Sequence, residues 1–353
     1  MPPTHGGILS GHLIGDRSPR NDPLGCRYKG EVLSNLDISE LLARQAESEE
    51  EAPPHRRRAL RRAARAALSW DESAWRLVQC GGSLSESLRG VGPYISSVIR
   101  GWMETHPEIP PPPPLRQGFA SRAEVRQQLL EWPGFLPPLY GDLHTHTDWS
   151  DGKSSLLEMA QAAEERGYSY LAVTDHAAKL KIAGGLSLAK LHEQGGEIDA
   201  LNQTLKAQGY RVRLLRSSEL NFAPNGEVDY ELETLRELDF TIGAFHSKLR
   251  LTDDQTERYL RAVENPGVDV LAHPICRIFN YRRGLSADWR RVMERVAQLG
   301  KAVEVDGIPD RQDMGPGLLS VAAEFGVYVS LGSDSHSDQQ LRNIDFALAA
   351  VLK

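Results

Sequence analysis

Short apolar runs alternate with helical segments from residue 139 onward in this 353-residue chain. Seven such runs are rich in β-branched residues: LYGDLHTHT, SYLAVTDHA, VRLLRSSELNF, FTIGAFHS, VDVLAHPI, AVEVDGIP and VYVSLGSDSH. The segments between them, such as SSLLEMAQAAEERG, have apolar residues at helical spacing. Strands that alternate with helices form parallel sheets, so the pattern predicts an α/β domain whose seven strands close into a barrel.

Nearly every run ends in a side chain that can bind a metal ion. In chain order these residues are His144, His146, Asp151, His176, Glu219, His246, His273, Asp334 and His336. The carboxyl ends of parallel barrel strands share one rim, where the active sites of such folds lie. A single histidine at a strand end is more often a hydrogen-bonded core residue than a ligand. Six histidines with three carboxylates on one rim would each cost several kcal/mol to bury without partners, so the sequence predicts a site for several metal ions.

The chain before residue 139 has a different composition. We predict a poorly ordered segment over 1–35, a small all-α domain over 36–106, a proline-rich linker with one helix over 107–138, and the metal-binding α/β domain over 139–353. Five consecutive prolines, Pro110 to Pro114, favour a stiff extended connector within the linker.

The predicted all-α domain contains a dense arginine cluster and a glycine turn. The residues concerned are Arg57, Arg58, Arg61, Arg62 and Arg65 in HRRRALRRAARAAL, with Gly90 and Gly92 between two later helical segments. A glycine turn before a helix exposes backbone N–H groups that can bind a phosphate, and arginines bind the DNA backbone. The pattern therefore indicates DNA binding, and the alternative is a helical packing module with a solvated arginine face.

Composition limits the other classes of function. The formal net charge is −7, and residues 139–353 carry the excess of acidic side chains, which disfavours binding of polyanions there unless bound cations reverse the local sign. Three widely spaced cysteines argue against a disulfide framework or a cysteine zinc cluster. The sequence lacks a long apolar run and a secretory signal pattern, so we expect a cytoplasmic protein that does not bind membranes.

The strand-end motifs also resemble a known family. DLHTHTDWSDG, TDHA, SSEL, FHS, AHP and GSDSH are similar, in this order, to the motifs of the polymerase and histidinol phosphatase (PHP) domain. The resemblance covers essentially all of residues 139–353. It implies a distorted seven-stranded (β/α) barrel that binds two to three divalent metal ions and hydrolyses phosphate esters with a metal-bound hydroxide.

The N-terminal region resembles the helix-hairpin-helix part of bacterial family X DNA polymerases. Too few residues separate the two regions here to accommodate the polymerase palm, so the resemblance does not imply polymerase activity. The family usually has an asparagine where this chain has Asp306, and this difference leaves any substrate contact at that position open.

The PHP resemblance implies a ligand set for each metal ion. The first ion would be bound by His144, His146, Glu219 and Asp334, the second by Glu219, His246 and His273, and the third by Asp151, His176 and His336. Mixed imidazole and carboxylate ligands suit zinc, manganese or iron better than calcium. Asp334 and His176 are the two candidates for accepting a proton during catalysis.

Three basic residues follow strand ends and are candidates for binding the substrate phosphate: Arg277, Lys248 and Arg311. For each of them the alternative is a solvated loop charge. The expected substrate is a phosphate ester, either a DNA end in single-stranded or nicked DNA or a nucleotide, cleaved in the manner of a 3'-5' exonuclease or 3'-phosphatase.

Three alternatives remain open from the sequence. They are a small-molecule phosphate monoesterase of the histidinol-phosphatase type, a metal-dependent amidohydrolase that also begins with His-x-His, and a non-catalytic DNA-binding protein. The sequence does not determine the oligomeric state.

Overall fold

A computed structural model describes residues 32–49 and 51–353 of the chain. The predicted poorly ordered segment over 1–35 therefore lies largely outside the described residues. The first described helix begins at Asn35, where Ser34 accepts a hydrogen bond from the backbone N–H of Asp37 and the Asp37 carboxylate accepts one from Ser34 N. This reciprocal capping box satisfies backbone donors that the first helical turn leaves unpaired.

Within residues 32–49 and 51–106, the structure has five helices: α1 Asn35–Ser48, α2 Pro54–Ala67, α3 Ala74–Gln79, α4 Leu84–Ser87 and α5 Pro93–Thr105. Helix α2 begins at Pro54, whose missing N–H would have no partner at a helix start in any case. Its fully buried Leu60 and Ala64 pack in one core with Leu42 of α1 and Ile99 of α5. The arginines of α2 consequently occupy the opposite, outer side of the helix.

The predicted glycine turn lies between α4 and α5. Gly90 has a φ of +81°, a conformation that glycine adopts without a steric penalty. A Cβ atom there would lie 3.3 Å from the Cβ of Ala66, so the turn packs against the arginine-bearing helix α2. Helix α4 is only one turn long, and a phosphate-binding helix-hairpin-helix motif stays a prediction.

Eight parallel strands form two sheets in the C-terminal part. One sheet contains β1 Gly141–Asp142, β2 Tyr170–Val173 and β3 Arg213–Arg216, and the other contains β4 Glu219–Asn221, β5 Ile242–Ala244, β6 Val270–Leu271, β7 Ala302–Asp306 and β8 Tyr328–Gly332. The predicted α/β class with parallel sheets is confirmed. Seven runs give eight strands because VRLLRSSELNF is interrupted at Ser217 and Ser218, where the chain leaves one sheet and enters the other.

Isolated parallel bridges connect the two sheets at the carboxyl ends of their strands. Thr145 after β1 pairs with Ser335 after β8, and His176 after β2 pairs with Glu219 of β4. A backbone hydrogen bond of 2.7 Å from His146 N to Ser335 O supports the first connection. These bridges bring together the loops that carry the predicted ligands, whereas closure into a complete barrel stays a prediction.

Helices lie between the strands along the chain, and the helix of the linker packs against the last of these helices. The C-terminal helices are α7 Leu156–Glu165, α8 Leu188–Ala207, α9 Leu232–Leu235, α10 Thr256–Val263, α11 Trp289–Gln298, α12 Pro316–Glu324 and α13 Ile344–Val351. The linker helix α6 Arg122–Glu131 packs Val125 and Leu129 against Phe346 and Leu348 of α13. Among the residues that the structure describes, no helix is long and apolar enough to cross a membrane.

Candidate metal centre

The structure brings all nine predicted ligands into one connected set of contacts at the carboxyl ends of the strands. Their donor atoms include three groups whose members lie within 4.8 Å of one another. These groups are His146, Asp151, His176 and His336; His144, His146 and Glu219; and His176, Glu219 and His246. Residues that are nearly two hundred positions apart in the chain therefore converge, as expected from strand ends that share one rim.

The two histidines of the His-x-His motif lie beyond the end of their strand. Strand β1 ends at Asp142, but Thr145 still pairs with Ser335, so the residues on either side of it project to the same side. The Nε2 atoms of His144 and His146 are 3.1 Å apart, and both side chains are fully buried. Two imidazole nitrogens this close require a proton or a cation between them, and His146 Nδ1 is itself buried without a hydrogen-bond partner.

Glu219 occupies the centre of the cluster. Its Oε1 atom lies 3.1 Å from His246 Nε2 and 2.9 Å from His273 Nε2. Its Oε2 atom lies 2.7 Å from His176 Nδ1, yet neither of these two buried atoms has a hydrogen-bond partner because their alignment is wrong for one. Buried polar atoms without partners are rare in folded proteins. Cations between these atoms would satisfy them, so the donor set fits bound metal.

Charge within the cluster shifts the pKa values of Glu219 and His146 in the direction that metal binding requires, whereas burial is outweighed at His144 and His176 by neighbouring carboxylates, which raise the pKa of both imidazoles. Burial favours the neutral form of Glu219, but the imidazoles of His246 and His176 outweigh it and hold the pKa of the carboxyl well below its usual range. Burial, reinforced by the neighbouring His176 cation, lowers the pKa of His146 to about 3. Ionised carboxylate and neutral imidazole are the forms that bind metal ions.

Asp334 connects the cluster to a basic residue. Its Oδ1 atom lies 3.1 Å from His146 Nε2, and its Oδ2 atom lies 2.9 Å from Arg311 Nη1. Burial opposes the charge of Asp334, but the Arg311 guanidinium outweighs it and lowers the pKa of the carboxyl well below its usual range. Arg311 is thus the predicted phosphate-binding residue that the structure places against a predicted ligand.

Asp306 also lies next to Arg311. Its Oδ2 atom is 3.7 Å from Arg311 Nη1 and has no hydrogen-bond partner, although the side chain is fully buried. Burial and the nearby Asp334 carboxylate raise the pKa of Asp306 well above its usual range. Asp306 is therefore a buried neighbour of Arg311 whose carboxyl favours the neutral form, while Asp334 is the carboxylate paired closely with Arg311.

The cluster is open on one side. Asp151 Oδ1 lies 3.5 Å from the Nε2 atoms of both His176 and His336, and the side chains of Asp151 and His336 are 35% and 26% exposed. His144 and His146, by contrast, are fully buried. A ligand from solvent would therefore reach the cluster from the side of Asp151 and His336.

Two residues that orient the ligands were not predicted from the sequence. Glu304 of β7 is buried; its Oε1 atom lies 2.7 Å from His144 Nδ1, and its Oε2 atom accepts a hydrogen bond from the backbone N–H of His273. Asn221 Oδ1 lies 2.6 Å from His246 Nδ1. Such partners fix the orientation of a metal-binding ring. An acidic residue inside the apolar run AVEVD was the available signal for Glu304.

The other two phosphate candidates lie elsewhere on the rim. The Arg277 guanidinium donates to the backbone carbonyls of Gln117, Gly118, Arg311 and Gln312, and it stacks over the ring of Phe119 at 4.0 Å. These contacts use Arg277 to attach the linker to the rim, so we do not retain it as a phosphate ligand. Lys248, two residues after His246, is exposed and has a φ of +53°.

The arginines predicted to bind DNA mostly face solvent. Arg58, Arg61, Arg62 and Arg65 are exposed, and Arg57 is half-buried. Arg65 Nε lies 3.1 Å from the Oδ2 atom of Asp310, which lies in the loop after β7 beside Arg311. The arginine side of α2 therefore approaches the rim that carries the ligands.

Comparison with known proteins gives a match to one family model and several similar relatives. Residues 142–305 match the family model of the PHP domain. The DNA polymerase/3'-5' exonuclease PolX of Bacillus subtilis is 35% identical over 219 residues, which are 62% of this chain and 38% of that protein. A probable phosphatase of Acetivibrio thermocellus is 29% identical over 214 residues, which are 58% of this chain and 82% of the phosphatase.

A solved structure of histidinol phosphate phosphatase from Lactococcus lactis, complexed with zinc, L-histidinol and phosphate, aligns with 58% of this chain and 92% of its own at a TM-score of 0.39 and 17% identity. The chain spans little more than a third of the polymerase relative but most of the phosphatase relative. The match of residues 142–305 to the family model confirms the PHP family that the strand-end motifs resemble.

Proposed function

We propose that this chain is a metal-dependent phosphoesterase that hydrolyses phosphate esters at DNA ends or in nucleotides. The observation that carries the proposal is Glu219, whose two carboxylate oxygens contact different imidazoles on either side. A carboxylate shared between two sets of ligands is suited to hold two cations roughly 3.5–4 Å apart, as in two-metal phosphoesterases.

Nine residues would hold two to three ions of zinc, manganese or iron: His144, His146, Asp151, His176, Glu219, His246, His273, Asp334 and His336. When bound, the ions would supply an activated water and would neutralise charge on the phosphoryl oxygens. The polymerase and phosphatase relatives and the PHP domain itself support this assignment.

The chain's own residues would position the ester. Substrate would approach the open side at Asp151 and His336. The Arg311 guanidinium, which is partly exposed beside Asp334, would bind a phosphoryl oxygen. Asp334 and His176 are the two candidates for accepting the proton of the attacking water.

Proximity of the arginine-rich helix to the rim favours nucleic acid as the substrate. Arg65 contacts Asp310 next to Arg311, and the glycine turn at Gly90 packs against the same helix. We therefore propose DNA binding by a helix-hairpin-helix module over 36–106, joined through 107–138 to a seven-stranded PHP barrel over 139–353. The polymerase relative is named as a 3'-5' exonuclease, but the chain covers only 38% of it, and polymerase activity is not proposed.

A second candidate is hydrolysis of small phosphate monoesters. It is favoured by the probable phosphatase of Acetivibrio thermocellus, of which this chain covers 82%. In that case the helical region would contribute to the structure of the rim rather than to binding of DNA.

One experiment separates these functions. Purified protein with Mn²⁺ is given a 5'-labelled single-stranded oligonucleotide that ends in a 3'-hydroxyl or a 3'-phosphate, and a small phosphate monoester in parallel. Shortening of the oligonucleotide indicates a nuclease, loss of the terminal phosphate alone indicates a 3'-phosphatase, and hydrolysis of the monoester alone indicates the second candidate. Inert phosphate esters with every divalent metal would overturn the proposal, and activity on amides would favour the amidohydrolase.

Matched variants assign the activity to the cluster. His144→Ala and Asp334→Asn are expected to abolish hydrolysis and to reduce the metal content of the purified protein. His192→Ala and Asp199→Asn replace the same residue types at positions that are 53% and 58% exposed on α8, and both should retain activity and metal. Metal-free wild-type protein would support the non-catalytic alternative.

A further inference from the structure

Two loops at the carboxyl ends of neighbouring strands present an aromatic ring together with a guanidinium. Tyr281, in the loop after β6, is 54% exposed, and the Cζ atom of Arg250, in the loop after β5, lies 4.7 Å from the centre of its ring. These loops begin at His273 and His246, two members of the metal cluster. The ring and the cation are therefore on the rim that carries the candidate metal centre.

The loop that carries Tyr281 is anchored by the two residues that precede the ring. Phe279 is buried in the core of the helical region and packs edge-on against Phe119 at 5.2 Å. Asn280 adopts a left-handed conformation with a φ of +51°, and its backbone N–H donates to Leu115 O at 3.1 Å. Tyr281 is thus exposed on a fixed support, which reduces the entropy that a ligand would have to overcome on stacking against it.

The buried linker residue Arg116 connects helix α1 to this support. Arg116 Nη1 donates to the side-chain oxygen of Asn280 at 2.7 Å, and the Arg116 side chain is only 1% exposed. The same guanidinium binds both carboxylate oxygens of Glu40 at 2.7 and 3.1 Å and also contacts Glu47. Helix α1 is therefore connected, through Arg116, to the loop that carries Tyr281.

The two loops carry further basic residues besides Arg250. Lys248 and Arg250 follow His246, and Arg283 follows Tyr281, and all three side chains are exposed. Asp253 and Asp254 lie at the far end of the first loop, where Asp254 accepts a hydrogen bond from the backbone N–H of Thr256 at the start of α10. An aromatic face among cations is the surface that binds a nucleobase and its phosphates in proteins that recognise single-stranded nucleic acid.

Other exposed tyrosines occupy different places. Tyr328 is 71% exposed at the first residue of β8, and Tyr140 is 62% exposed immediately before β1. Both lie at the amino ends of their strands, away from the carboxyl-end rim, and singly exposed aromatic residues of this kind need no functional explanation. Tyr281 differs from them in its position on the rim, its cationic neighbour and its anchored loop.

We propose that Tyr281, together with Arg250, stacks against a nucleobase of the substrate next to the phosphate that is hydrolysed. This inference rests on the proposed phosphoesterase function and narrows its substrate to nucleotides and single-stranded nucleic acid ends. Helix α1 and the linker hold the platform in place through Arg116 and Asn280, so the helical region affects substrate recognition without touching the reacting atoms.

The test compares two oligonucleotides that differ only in whether the terminal nucleotide carries a base or is abasic. The kcat/KM of the full-length protein with Mn²⁺ and the equilibrium affinity are measured for both. We expect the wild-type protein to prefer the base-bearing substrate. Tyr281→Ala should reduce that preference about tenfold, the order expected for one base stacked on an aromatic ring, and Tyr281→Phe should retain it.

Two further variants separate stacking from damage to the fold. Tyr328→Ala removes a tyrosine of similar exposure and should retain the wild-type preference. Asn280→Gly keeps the left-handed turn but removes the acceptor of Arg116, and it should lower the preference while the ring remains. If Tyr281→Ala leaves the preference unchanged, the platform is refuted even where hydrolysis is normal. If the wild type hydrolyses neither substrate, the proposed function fails, and the affinities alone decide whether the platform binds a base.

Discussion

The metal cluster and helix α2 both concentrate charge, but they do so in opposite environments. In the cluster, Glu219 and His144 are buried and contact several other ionisable groups. On α2, Arg58, Arg61 and Arg62 point into solvent, and the structure gives them no role in the core. Buried charge is costly without partners, whereas exposed charge is stable in water alone. The first pattern therefore specifies a site, and the second is compatible with a site or with simple solvation.

The largest effect should follow from removing the central carboxylate. Glu219→Gln keeps the shape of the side chain but removes the charge that five imidazoles surround, so metal ions would lose a shared ligand. We expect loss of at least part of the bound metal and a fall in hydrolysis of about 10³-fold, equivalent to several kcal/mol of transition-state stabilisation. Metal analysis and initial rates give the two readouts.

Glu324→Gln is the matched control for this prediction, since Glu324 pairs with Arg290 at an exposed position. It should retain the wild-type metal content and rate. A Glu219→Gln protein with a full metal content and normal turnover would remove Glu219 from the proposed centre.

Loss of a buried ion pair at the junction of the two regions should lower the stability strongly, because its charges, like those of the cluster and unlike those of α2, are removed from water. Arg116→Ala leaves the Glu40 carboxylate buried without its guanidinium, and unfolding in urea should show a loss of about 3–5 kcal/mol. Arg44 also contacts Glu40, at 2.8 Å, but its side chain is 38% exposed, so Arg44→Ala should cost less than about 1 kcal/mol. Equal losses of stability for the two variants would show that burial does not determine how much an arginine paired with Glu40 stabilises the fold.

The sequence was sufficient to locate the cluster because its motifs depend on local spacing and strand order. Alternation places His144 and His146 on one side of the chain, and parallel strands bring distant ends such as Glu219 and Asp334 to the same rim. The break at Ser217 and Ser218 was not predicted, since nothing in VRLLRSSELNF distinguishes a continuous strand from two short ones. It depends on pairing with different neighbours on either side of the break.

Contacts between distant loops were also beyond the sequence. Arg277 follows His273 closely enough to suggest a phosphate ligand, but the linker supplies carbonyl acceptors that orient it elsewhere. Glu304 lies in an apolar strand, and its role depends on the place of Gly332 in the next strand. A Cβ atom at position 332 would clash with the Glu304 carboxylate, so only glycine leaves room for it. Such relationships follow from tertiary packing and have no signature at short range.

Loss of that oriented carboxylate should have an intermediate effect. Glu304→Gln keeps an oxygen for the His273 backbone N–H but weakens the hold on His144 Nδ1. Partners of metal-bound histidines typically contribute about 10- to 100-fold in metal affinity or activity, and we expect a reduction in that range. Titration of the metal-depleted protein with Mn²⁺ measures the affinity, and unchanged affinity together with unchanged rate would reduce Glu304 to a packing residue.

The smallest effect on stability should come from the arginines of α2. In the triple variant Arg58→Gln, Arg61→Gln and Arg62→Gln, the replaced side chains are exposed, so the free energy of unfolding should change by less than about 0.5 kcal/mol. Binding of a single-stranded oligonucleotide should nevertheless weaken, and the slope of log affinity against log salt should decrease in magnitude by about 0.7 for each phosphate that the protein no longer neutralises. An unchanged slope would mean that these arginines form a solvated face. In that case the helical region would affect the metal centre through the buried Arg116, which contacts the loop after β6, and not through the exposed arginines of α2.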